Sequence, residues 1–79
     1  MPHDLTPKQG QYLAFIYYYT KITGQAPAEV DFQRYFRVSP PSVHNMIVTL
    51  DERGFISRET GRGRSIKLLL NRGEIPDLE

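Results

Sequence analysis

An α+β fold is predicted, a bundle of three helices closed by a C-terminal β-hairpin. Three observations carry it. Helix starts are spelled out twice, at Thr6-Pro7-Lys8-Gln9 and at Ser39-Pro40-Pro41-Ser42; a short amphipathic segment lies between them; and after Gly54 the apolar period changes from helical to alternating. The 79 residues make one domain, near the lower limit for folding without covalent staples. With 39% apolar residues and no cysteine, the core must come from Leu, Ile, Val, Phe and Tyr, and no disulfide or thiolate metal site can form.

The first helix begins in capping-box form. Thr6 caps, Pro7 takes the first helical position, and Gln9 can reach back to the cap, with Leu5 placed to staple the entry. Leu13, Ile16, Tyr17 and Thr20 then share one face by helical spacing. Gly24 ends the helix and Ala26-Pro27 makes an extended link. Tyr12, Phe15, Tyr19 and Ile22 form a second apolar side, which either pairs two copies of the chain as a homodimer or is covered by the chain's own strands or tail.

Residues 28 to 36 form a short second helix with Phe32 and Phe36 on its buried side and Val30 and Val38 as flankers. Arg37-Val38 lead straight into Ser39. So short a connection makes the second and third helices meet at a steep angle, the helix-turn-helix arrangement.

The third helix runs from Pro40 to Arg53 and is closed by Gly54. Ser39 caps it. Pro40 and Pro41 take positions whose N–H groups have no helical partner, so the cap bond must go to the N–H of Ser42. Val43, Met46, Ile47 and Leu50 form the core stripe; Asn45, Val48 and Glu52 point the opposite way; His44 lies on one flank, Ser42 and Thr49 on the other. The outward side of the first two turns is thus small, hydrogen-bonding and free of negative charge.

Phe55 to Thr60 and Ser65 to Leu70 read as strands, the second alternating Ile66, Leu68 and Leu70 with polar neighbours. Gly61 and Gly63 free the tip of the hairpin for tight turning. Residues 1–70 make the domain, and residues 71–79, rich in acids with little to bury, read as a tail or linker remnant.

The net charge of +1 hides an asymmetry. Residues 53 to 72 hold six cations (Arg53, Arg58, Arg62, Arg64, Lys67 and Arg72) against the single carboxylate of Glu59. Set beside a small, polar helix face, a basic hairpin points to double-stranded DNA as the partner. Tyr12 to Tyr19 is an apolar run of eight residues, far short of a membrane span, and the first residues make no signal peptide, which points to a soluble, cytoplasmic chain with no membrane partner. No nucleophile-base set, paired carboxylates or phosphate loop can be assembled, so an enzyme with a small-molecule substrate or a cofactor is not expected. RNA is disfavoured because no strand carries an aromatic platform.

The order of these elements resembles the DNA-binding domain of LexA-type repressors, a winged helix-turn-helix. The likeness rests on Leu5-Thr6-Pro7-Lys8-Gln9, Gly24 with Ala26-Pro27, Ser39-Pro40-Pro41-Ser42-Val43-His44, Leu50 with Glu52-Arg53-Gly54-Phe55-Ile56, Gly61-Arg62 with Arg64-Ser65-Ile66, and Leu68-Leu69, over residues 5 to 70. It implies that the third helix reads the major groove while the wing touches the backbone or the adjacent minor groove. By position, Ser39, Pro41, Ser42, His44 and Asn45 fall where that family faces bases, and Arg62 and Arg64 fall in the wing. The family's repressors also carry a second domain with an Ala-Gly cleavage site, a Ser-Lys dyad and dimer contacts. The chain stops at Glu79, before such a domain, so self-cleavage is not carried over, and the chain is either a stand-alone regulator or part of a longer one.

The expected DNA-binding residues are Ser39, Pro41, Ser42, His44, Asn45, Thr49, Arg62, Arg64 and Lys67. An amide at position 45 can bond adenine at N6 and N7, worth roughly 1–3 kcal/mol of discrimination. His44 can donate to a base or phosphate but is no metal site, since the only other histidine is His3. Arg62, Arg64 and Lys67 supply salt-dependent attraction to phosphates. The rival function is a protein-interaction module that uses the second apolar side of the first helix.

Overall fold

A computed structural model describes residues 4–79; His3 lies outside them. The element order is α1 (Pro7–Thr23), α2 (Glu29–Phe36), α3 (Pro40–Glu52), β1 (Ile56–Ser57), β2 (Lys67–Leu68) and a 3₁₀ turn at Arg72–Glu74. This is the α+β, winged helix-turn-helix arrangement expected from the sequence. Among the described residues no helix is long and apolar enough to cross a membrane.

The local signals work as their chemistry requires. Thr6 Oγ1 accepts the N–H of Gln9 at 3.1 Å, and Gln9 Oε1 accepts the N–H of Thr6 at 3.1 Å, a reciprocal capping box. Gly24 closes α1 at φ 81°, where its N–H reaches the carbonyl of Thr20. At α3 the two prolines push the cap bond one residue on, and Ser39 Oγ accepts the N–H of Ser42 at 3.3 Å. The turn before α3 is three residues long. Arg37 occupies the left-handed region at φ 56°, a conformation disfavoured for any side chain with a Cβ, and this single strained residue swings the chain from α2 into α3.

The core stripe of α3 is as expected for Val43, Ile47 and Leu50, all fully buried, with Met46 partly so. On α1 the expected stripe holds at Leu13 and Ile16 but fails at Tyr17, half-buried, and Thr20, exposed. The reason lies in how α1 is surrounded. Burial spans Gln9, Gly10 and Tyr12 to Ile16, close to the whole circumference of its first turns, and lapses toward its C-terminal end.

The second apolar side of α1 is covered, and by neither of the elements expected. Tyr12 stacks on Phe32 (centroids 5.1 Å apart) and on Phe36 (4.6 Å), while Phe15 meets Phe32, Tyr35 and Phe36 at 4.9 to 5.6 Å. The aromatic face of α2 does the covering. Tyr12 is buried so completely that its phenol pKa is pushed up, and its hydroxyl has no partner among the described residues. Of the four residues offered as a homodimer or protein-docking face, only Ile22, 80% exposed, is fully open. Those two readings lose their surface.

The hairpin is shorter than its alternation suggested. Instead of strands over 55–60 and 65–70, pairing is antiparallel for two residues only, Ile56 with Leu68 and Ser57 with Lys67. Beyond that ladder Ser65 takes over. Its hydroxyl accepts the N–H of Glu59 at 2.9 Å and lies within reach of the carbonyls of Glu59 and Arg62, so side-chain bonds replace strand pairing at the tip.

Residues 71–79 have more to bury than their composition promised. Ile75 is 5% exposed, Leu78 packs against the core, and Arg72 bonds the Tyr18 hydroxyl at 2.8 Å while lying over the Tyr17 and Tyr18 rings. Gln11 grips the segment by two bonds, to the Asp77 carbonyl and from the Glu79 N–H. Pro76 sits so close to Gly10 that an added Cβ would stand 2.9 Å from its Cγ. The segment is a strap along α1.

Candidate nucleic-acid interface

The entry of α3 is open. Ser39, Pro40, Pro41, Ser42, His44 and Asn45 are all exposed, held on a helix whose first turn is stiffened by two prolines and by the mutual hydroxyl contact of Ser39 and Ser42 at 2.9 Å. None of the described residues covers this surface. Thr49 points along the same side but is turned inward, its hydroxyl donating to the Asn45 carbonyl at 2.9 Å.

His44 and the wing share a cleft. Its walls include Glu29, His44 and Ile47 from the helices and Arg58, Arg62 and Gly63 from the hairpin, so the flank of α3 and the wing tip border one cleft. His44 Nδ1 hydrogen-bonds Glu29 Oε2 at 3.2 Å, which ties α3 to the first turn of α2. Lys67 does not line this cleft, though it borders another groove with Arg62 and Arg64. It also lines a separate groove between α1 and the hairpin, with Ile16, Tyr17, Thr20 and Lys21.

The basic segment is largely neutralised by ion pairs, three of them with acids three to seven residues away and one with a distant acid, Asp31. Arg58 pairs with Asp51 at 3.1 Å, Arg62 with Glu59 at 2.9 Å, Arg64 with Asp31 at 3.1 Å, and Arg72 with Asp77. Arg53 lies over the Phe55 ring. Counting charge along the chain therefore overstated the field at the wing. The pairs differ in character. Arg62 and Glu59 are 71% and 67% exposed, a loose surface pair that a phosphate can outbid, whereas Asp31 is only 12% exposed. Hydrogen bonding to the Tyr19 hydroxyl, aided by the charge of Asp31, holds the Arg64 pKa above the usual guanidinium value.

Two cations not singled out from sequence stand near the open surface. Lys8, on the first turn of α1, lines a shallow groove with Thr6, Gln9, Ser42, Asn45 and Thr49, beside the outward face of α3. Arg37 is exposed in the turn just ahead of Ser39. Among the described residues neither has an ion-pair partner. Lys8 was hidden inside a capping motif, and only the packing of α1 beside α3 shows its neighbours. For Arg37 the signal was available: a three-residue turn between two helices has to present its side chains near the second helix's start.

The LexA DNA binding domain profile matches residues 2–65 of the chain. The LexA repressor of Petrotoga mobilis is 36% identical over 73 residues, covering 91% of this chain and 35% of the relative. The LexA repressor of Thermosipho melanesiensis is 34% identical over 65 residues, covering 82% of this chain and 33% of the relative, and that of Thermotoga maritima is 30% identical over 74 residues, covering 92% and 38%. The chain thus spans about a third of the length of these repressors.

Proposed function

The chain belongs to the LexA DNA-binding domain family, and from that premise we propose that it binds double-stranded DNA sequence-specifically as a transcriptional regulator, repressing by occlusion. The first two turns of α3 enter the major groove, with Asn45 and Ser42 toward base edges and Ser39, Pro41 and His44 at the rim. The wing tip, through Arg62 and the backbone at Gly61 and Gly63, meets the sugar-phosphate backbone or the neighbouring minor groove. Lys8 and Arg37 serve phosphates flanking α3. Glu52, exposed at the far end of that helix, repels phosphate and keeps entry to its amino-terminal half.

One observation supports this reading most: the start of α3 is open and proline-stiffened, and His44 on its flank borders a common cleft with the wing tip. Selection of binding sites from a random duplex pool, followed by fluorescence anisotropy across salt concentrations, tests it. A recovered motif that binds at least about a thousandfold tighter than random duplex is the expected result. Equal affinity for selected and random duplexes would contradict it. Pairing of two copies on adjacent half-sites, one helical turn apart, would appear as a palindrome in the recovered motif.

A further inference from the structure

Arg64 lies at the wing tip yet its guanidinium turns back into the body of the domain. Nη1 is within hydrogen-bond distance of Tyr19 Oη on α1 (3.1 Å), the Ala26 carbonyl in the α1–α2 loop (3.2 Å) and Asp31 Oδ2 on α2 (3.1 Å). The same Asp31 oxygen accepts the N–H of Ala28 at 2.8 Å and so caps α2. One carboxylate oxygen therefore joins the start of α2 to the wing. The backbone at Arg64 is held at φ 57°, a conformation that a side chain with a Cβ adopts at a cost and that brings the guanidinium round to these acceptors.

A hairpin with a two-residue ladder cannot set its own direction. Something else must hold it against the helices. Swinging Arg64 out to a phosphate would leave a nearly buried carboxylate short of its counter-charge, exchanging one charge-assisted contact for another. We propose that Arg64 is a positioning residue: it straps the wing to the first turn of α2 and so holds Arg62 and the glycine backbone beside His44, without touching DNA itself. The proposal rests on the DNA-binding reading for its effect on affinity, but not for the strap.

Asp31→Asn separates the alternatives by sign. Removing an acid near a polyanion site should tighten binding, whereas removing the anchor of the wing should weaken it. The Asn carbonyl can still accept the N–H of Ala28, which spares the helix cap. With a selected duplex, R64A and D31N should each weaken binding about tenfold, in line with one lost hydrogen bond to a charged group. The double variant should be no weaker than either single one, and Tyr19→Phe should act in the same direction by less. The salt slope of R64A should equal that of the unaltered chain. Tighter binding by D31N, or a salt slope flatter by about one in R64A, would overturn the proposal. Without DNA, amide exchange at Glu59 and Arg62 should quicken in R64A and D31N, and unchanged exchange would also overturn it. If exchange quickens while the unaltered chain binds no duplex, the strap stands and only the DNA reading fails.

Discussion

The start of α3 and the tip of the wing approach each other at the cleft beside His44, but they are built in opposite ways. At α3 the backbone is fixed by local means, two prolines and a cap bond between residues three apart, and the side chains of Ser42, His44 and Asn45 stay exposed. At the wing the backbone pairs for only two residues, and the arginines are held in ion pairs, Arg62 with Glu59 of the wing itself and Arg64 with Asp31 on α2. A rigid helix presenting the Asn45 amide, which has no side-chain partner among the described residues, suits base readout. On the proposed function, a wing whose charges are mostly compensated would contribute through its position and its backbone, and through the exposed Arg62–Glu59 pair. Clustered arginines are thus a poor measure of available charge.

Five changes would break or sharpen this contrast. The largest effect falls outside both regions: removing residues 71–79 should cost about 2–4 kcal/mol of stability in urea melts, through exposure of Ile75 and its apolar neighbours, and should leave base preference at α3 unchanged. Next, Asn45→Ala should lose roughly 1–3 kcal/mol on the preferred duplex at one base pair, with affinity for random duplex little altered. Third, Ser39→Ala should lower stability by about 1 kcal/mol, because the N–H of Ser42 loses its acceptor; a smaller loss would mean that the prolines alone set the direction of α3. The smallest stability change belongs to Arg62→Ala, below about 0.5 kcal/mol since its ion pair is exposed. The same substitution should flatten the salt slope by roughly one unit on every duplex, and Glu59→Gln should strengthen binding by freeing the guanidinium. Equal behaviour of the Asn45 and Arg62 variants on preferred and random duplexes would erase the division between the two regions.

Much of the scaffold was legible because its determinants are local. Thr6 with Gln9, Ser39 with Ser42 and Gly24 at the end of α1 act over three or four residues, and the chain order alone decides them. The outward position of Asn45 followed from the buried stripe of α3 in the same way. What escaped detection depends on distant partners. Asp31 lies 33 residues from Arg64 and Gln11 lies 66 from Asp77, so neither contact can be anticipated without knowing which surfaces pack. The cover of Tyr12 and Phe15 was misassigned for the same reason: α2 offered three aromatic residues, but helical period does not say which neighbour they face. One clue to the strap was present. A glycine inside a helix costs roughly 1 kcal/mol against alanine, so Gly10 marked a close approach, here that of Pro76.

The most direct measurement is a backbone amide chemical-shift map of the ¹⁵N-labelled chain titrated with a selected duplex. Shifts concentrated at residues 37 to 45, at Lys8 and at residues 61 to 64, with Tyr17, Lys21 and residues 72 to 79 undisturbed, are the predicted result. Shifts gathered instead along the α1–hairpin groove of Tyr17, Lys21 and Leu68, with the start of α3 silent, would contradict it.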